Sequence, residues 1–103
     1  VKYRAFMPSI KDNETFVFRI DHLVDKEIWE MGDREIVPIR KKAILARADI
    51  KVKDILKNQL QVLPDEPPPR HAIIINWPGE KSEQQLMAGD LALKAKLVIN
   101  DFK

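Results

Sequence analysis

The sequence predicts an α+β fold: a two-layer mixed sheet of about five or six short strands, opened by an N-terminal β-hairpin, with two longer helices and one short helix packed on it. Three observations carry this expectation. Ala72-Ile73-Ile74-Ile75 is apolar at consecutive positions, the pattern of a central strand covered on both faces. Met87, Ala88, Leu91, Ala92 and Ala95 recur at three- and four-residue spacings, one face of a helix. Phe16, Phe18 and Ile20 alternate with Val17 and Arg19, so that strand has one clearly apolar face.

The remaining elements follow in chain order. Tyr3-Arg4-Ala5-Phe6-Met7 is short and aromatic and ends at Pro8; with the turn-like Lys11-Asp12-Asn13-Glu14 it forms the first arm of the expected hairpin. Asp25 is a natural N-cap, with Glu27 placed to favour the helix dipole. Ile28, Trp29, Met31 and Ile36 share the apolar face that follows. Gly32 is either a terminating glycine or a close-packing point in a longer helix, and Pro38 stops the helix either way.

Ala43 to Ala48 reads as a strand. Asp49 then caps a short helix carrying Val52, Ile55 and Leu56, with Asn58 as a left-handed stop. Leu60-Gln61-Val62-Leu63 is a strand ended by Pro64. Ser82-Glu83-Gln84-Gln85 matches a capping box for the long helix. Leu97-Val98-Ile99 is a short last strand.

The chain has 103 residues, enough for one domain spanning 1–103 and too few for two. It has no cysteine, which excludes a disulfide framework, a thiolate nucleophile and a thiolate metal site. No apolar run approaches the ~20 residues that cross a bilayer, and no signal peptide is visible, so a cytoplasmic protein without a membrane role is expected. Three unclustered glycines exclude a Walker loop and a dinucleotide fingerprint. His22 and His71 are far apart in sequence, so no metal site and no cofactor is expected.

Two segments could carry function. Asp65-Glu66-Pro67-Pro68-Pro69 delivers Arg70-His71 to the mouth of the Ala72–Ile75 run. His71 can act as an acid–base group near physiological pH, and Arg70 can hold an anion. The bland alternative is local hydrogen bonding at a strand entrance, with Arg70 paired to Asp65 or Glu66. The second segment is a basic block. Residues 40–63 hold seven basic side chains (Arg40, Lys41, Lys42, Arg47, Lys51, Lys53 and Lys57) against two acidic ones, between mildly acidic flanks. Such a block can bind phosphate or nucleic acid, but it carries no aromatic for stacking, and the usual explanation of such a run is a solvated face. Trp77 reads mainly as closing the core edge, through its indole N–H, and Tyr3 is equally ambiguous.

The strings "YRAF", "FRID", "EIWEMG", "ARADI" and "PPPRHAIIINWP" together resemble a group of small bacterial proteins of uncharacterised activity, "PPPRHA…WP" being the most distinctive piece. The resemblance covers most of the chain. It implies a compact, stand-alone, cytoplasmic bacterial protein and no particular activity.

The leading expectation is a non-enzymatic binding or interaction module, with a homodimer as one form of it. The alternatives are phosphate or nucleic-acid binding through residues 40–57, and an enzyme on a small anionic substrate using His71 and Arg70.

Overall fold

The structure, a computed structural model, describes residues 1–101. It is an α+β domain whose strands form two antiparallel sheets. The elements are β1 (Thr15–Phe18), α1 (Asp25–Glu35), α2 (Val37–Arg40), β2 (Ala46–Asp49), α3 (Val52–Leu56), β3 (Gln61–Pro64), β4 (His71–Ile75), α4 (Lys81–Lys94) and β5 (Lys96–Ile99). One sheet has the order β1-β4-β3 and the other pairs β2 with β5. The expected single mixed sheet is therefore two sheets. The pairings that form join strands running in opposite directions, so no parallel crossover is needed.

The N-terminal segment does fold back on itself, as the expected hairpin would. Ser9 N donates to Glu14 O (2.9 Å), and Thr15 Oγ1 donates to Phe6 O (2.8 Å). Its first arm, Tyr3–Phe6, is however a turn of 3-10 helix, and β1 pairs with β4 instead. The reason is periodicity. Three residues per turn put Tyr3 and Phe6 on one side, where both meet the core. A strand would send them to opposite faces.

The central cluster joins Phe6, Ile55, Leu60, Ile74, Trp77, Ala88, Leu91 and Ala92. The α4 face made by Ala88, Leu91 and Ala92 is the one the spacing predicts. Its start differs: the helix begins at Lys81 after Glu80, with no side-chain cap, so Ser82 and Gln85 do not form the expected box. Gln84 fastens this end instead, donating to Pro78 O (2.7 Å) and to Asn13 Oδ1 (3.1 Å).

β4 is the centre of its sheet, as expected, but it is covered on one side only. Its burial alternates, with Ala72 and Ile74 fully buried and His71, Ile73 and Ile75 half-buried. Register places Thr15, Val17, Val62, Ala72 and Ile74 on the core face. Phe16, Phe18, Leu63, Ile73 and Ile75 share the outer face, where Phe16 is 58% exposed. The apolar run is thus real, but no helix among the described residues covers its second face.

Other boundaries shift for local reasons. α1 starts after Val24, whose N–H donates to Glu27 Oε1 (3.1 Å), so Asp25 is the first helical residue and not the cap. Pro38 sits in the first turn of α2, where a missing N–H costs nothing. The strand expected at Ala43–Ala48 runs from Ala46 to Asp49, so Asp49 ends a strand and Lys51 precedes α3. The left-handed stop after α3 is Gln59 (φ 62°); Asn58 uses its side chain on Asp54 O and Asp90 Oδ2.

Candidate functional site

α1 buries Ile28, Trp29 and Met31, yet these three lie outside the central cluster. Between α1 and that cluster runs a cleft of about 750 Å³. β1 and the turn after it supply Val17 and Ile20 to one wall. α1 supplies Ile28, Trp29 and Gly32 opposite. β2, α3 and their junction supply Ala48, Ile50 and Ile55. The volume falls within the range typical of ligand sites, and the lining is mainly aromatic and branched aliphatic.

Gly32 explains how α1 approaches the segment before β2. A Cβ built there would lie 2.7 Å from Ile44 Cδ1, so the glycine is the close-packing point inside a longer helix. Of the two roles the sequence allowed, this is the one the structure adopts.

One charged cluster stands in the cleft wall. Arg47 Nε donates to both Asp49 oxygens (2.9 and 3.1 Å), and Nη2 donates to Asp25 Oδ1 (2.8 Å). The guanidinium carbon lies 4.7 Å from the centre of the Trp29 ring, a cation–π stack. Burial works against the charged form, but the hydrogen bonds that Arg47 donates to Asp49 and then to Asp25 outweigh it and hold the Arg47 pKa above its ordinary value. Nη1 is buried and has no hydrogen-bond partner among the described residues. A buried donor left this way costs about 1–3 kcal/mol.

Arg47 therefore leaves the basic block: it faces inward and is neutralised by two carboxylates. Lys57 lies 4.0 Å from Asp54 Oδ1, one turn back. Arg40, Lys41, Lys42, Lys51 and Lys53 are exposed, and Arg40 and Lys51 stand on the cleft rim.

Arg70 and His71 are not brought together in one concavity. Arg70 has φ 69°, the left-handed region, and its groups grip the neighbouring chain. Its carbonyl accepts from Arg19 N (2.9 Å), and its Nη1 donates to Arg19 O (3.1 Å) and lies 3.5 Å from Asp21 Oδ1. Its side chain lines a shallow groove with Leu23, Glu27 and Pro69. The His71 ring instead lies on the outer sheet face, edge-on to Phe16 and Phe18 at 5.4 and 5.2 Å. Its Nδ1 is 2.9 Å from Asp65 O and 3.2 Å from Asp65 Oδ2. Both are acceptors, so the tautomer with hydrogen on Nδ1 suits the site. The pair acts as a double clasp holding the proline loop, whose Glu66–Pro67 and Pro67–Pro68 bonds are cis, to the sheet.

Trp77 is buried and its Nε1 donates to Ile74 O (3.2 Å), the core role expected of it. Tyr3 packs partly buried against the core. His22 is exposed at φ 64°. Among the described residues no group of three or more histidines and carboxylates could hold a metal ion, and no helix is long and apolar enough to cross a membrane.

The sequence reading missed the Asp25–Arg47–Asp49 cluster. Only Arg47 and Asp49, two apart on one strand face, gave a local signal. Asp25 and Trp29 come from a helix some twenty residues away, and only the fold joins them.

Fold and cleft together define a small α+β domain with an apolar cavity between one helix and its sheets. No family model matches the chain, and no curated protein or solved structure is significantly similar to it.

Proposed function

We propose that this protein is a small binding module whose site is the cleft between α1 and the sheets. The observation that carries the reading is the cleft itself: about 750 Å³, with mainly aromatic and aliphatic walls. Open apolar volume of this size in a folded chain keeps its cost unless something fills it. A cytoplasmic location, expected from the cysteine-free sequence, belongs to the same proposal.

Titration with Nile red, an uncharged dye that brightens in apolar surroundings, tests it. The wild type should give a saturable 1:1 signal, and Ile36→Glu, which sets a charge in the cleft wall, should abolish it. Leu86→Glu, on the exposed side of α4, should leave it unchanged. A signal that survives Ile36→Glu would place binding elsewhere.

A second reading, self-association, is favoured by one specific observation. The outer sheet face carries Phe16, Phe18, Leu63, Ile73 and Ile75, with Phe16 58% and Leu63 43% exposed. Light scattering should then detect a dimer that Phe16→Ser weakens; a monomer at all concentrations removes this reading. The nucleic-acid and enzyme readings rest on less. Arg47 is consumed by carboxylates, and Arg70 and His71 serve different surfaces.

A further inference from the structure

The charges that line the cleft are unequally engaged. Arg19, Arg40, Arg47 and Lys51 stand against two acids, Asp21 and Asp49, a net +2. Four of these six have partners: Arg47 is held by Asp49 and Asp25, Arg19 by Glu66 at 3.4 Å, and Asp21 by Arg70 at 3.5 Å. Arg40 and Lys51 are exposed and have no ion pair or side-chain hydrogen bond among the described residues. They reach the rim from two places in the chain, the end of α2 and the residue before α3. Both side chains are long and flexible, so their charged heads can turn to a group held at the rim. Low-dielectric walls beneath a rim of one sign focus the field on the mouth and concentrate ions of the opposite sign there.

We propose that the cleft takes an amphipathic organic anion: an apolar body between α1 and the sheets, with a carboxylate-type head held at the rim by Arg40 and Lys51. This rests on the cleft being a binding site. The aromatic and aliphatic walls call for the apolar body, which a bare phosphate does not have. The two unpaired cations call for the negative head and repel a positive one.

Three matched compounds and inorganic phosphate separate the possibilities. The compounds are 2-naphthoate, 2-naphthamide and 2-naphthylmethylammonium, followed at pH 7 and low ionic strength by the indole N–H resonance of Trp29, which lines the cleft. Naphthoate should bind roughly fivefold tighter than naphthamide, the gain expected of two exposed charge pairs. The ammonium compound should bind weakest of the three, and phosphate alone should leave the resonance in place. Arg40→Gln/Lys51→Gln should bring naphthoate down to the affinity of naphthamide. Lys42→Gln/Lys53→Gln makes the same change in net charge outside the cleft lining and should keep the naphthoate advantage. All four side chains are exposed, so both variants should fold. Equal affinities for naphthoate and naphthamide, tightest binding by the ammonium compound, or an advantage that survives Arg40→Gln/Lys51→Gln would overturn the ligand class and leave the cleft standing as a site. An advantage lost equally in Lys42→Gln/Lys53→Gln, or a saturable shift with phosphate alone, would do the same. Binding by none of the three naphthalenes would overturn both readings.

Discussion

Arg47 lies over Trp29, its guanidinium carbon 4.7 Å from the ring centre, while Asp25 and Asp49 grip its edges. This contact ties β2 to α1 in the wall of the cleft. Neither residue belongs to the central cluster, so the contact holds the helix arm to the rest of the chain. Replacing Arg47 with Met should cost about 1–2 kcal/mol. Asp25 is mostly exposed and can be rehydrated, which keeps the loss below that of a fully buried pair. Urea unfolding followed by Trp fluorescence measures it; an unchanged midpoint would show that the stack contributes nothing.

Gly32→Ala sets two effects against each other. Alanine raises helix propensity by about 1 kcal/mol. The new Cβ would come 2.7 Å from Ile44 Cδ1, but that atom is the tip of a side chain and can swing aside. Stability should therefore hold or rise slightly, while the cleft narrows and Nile red binds less well. A drop of more than ~1 kcal/mol would mean that Ile44 is locked in place.

The one-sided cover of β4 gives a paired test. Ile74 is fully buried on the core face, whereas Ile73 is half-buried on the outer one. Ile74→Ala should cost about 3 kcal/mol or more and Ile73→Ala about 1 kcal/mol. Equal losses in the monomer would show that the outer face is covered after all.

Acid stability should depend on Asp90. The Asn58 amide, first, and the Lys94 ammonium, second, hydrogen-bond its carboxylate at 2.8 and 3.1 Å and hold its pKa below the ordinary value. A carboxyl whose folded pKa is depressed contributes stability that is fully present above its unfolded pKa of about 3.9 and is lost as pH falls through the folded value. Thermal melts of the wild type should thus fall below about pH 4. Asp90→Asn should lack that component and lose less on acidification. The side chain is more than a third exposed, so the difference should be modest. Identical pH profiles would show that Asp90 is not held low.

Much of the architecture could be read from local pattern. The Ile73–Ile75 run, the α4 spacing and the alternation around Phe16 each report a single element, and each element is there. Errors arose where long-range packing decided the outcome. Tyr3–Phe6 has strand-like composition, but the core draws both aromatics to one side. Ser82 begins a plausible capping box, yet Gln84 finds partners on Pro78 and Asn13, the latter far away in sequence. The site was least legible. Arg47 looked like one member of a basic block because its neutralising partner Asp25 lies on another element. Arg70 and His71 are neighbours in sequence, but Arg70 ends the turn in a left-handed conformation while His71 begins β4, and the change of backbone direction between them sends the two side chains to different surfaces.

The most direct test of the cleft uses isoleucine methyl groups, which occur on both candidate surfaces. Ile28, Ile36, Ile44, Ile50 and Ile55 line the cleft, and Ile73 and Ile75 lie on the outer sheet face. With ¹³C-labelled isoleucine δ1 methyls and Nile red as titrant, the cleft methyls should shift saturably while those of Ile73 and Ile75 stay in place. Shifts confined to Ile73 and Ile75 would contradict the account and move the site to the open face of the sheet.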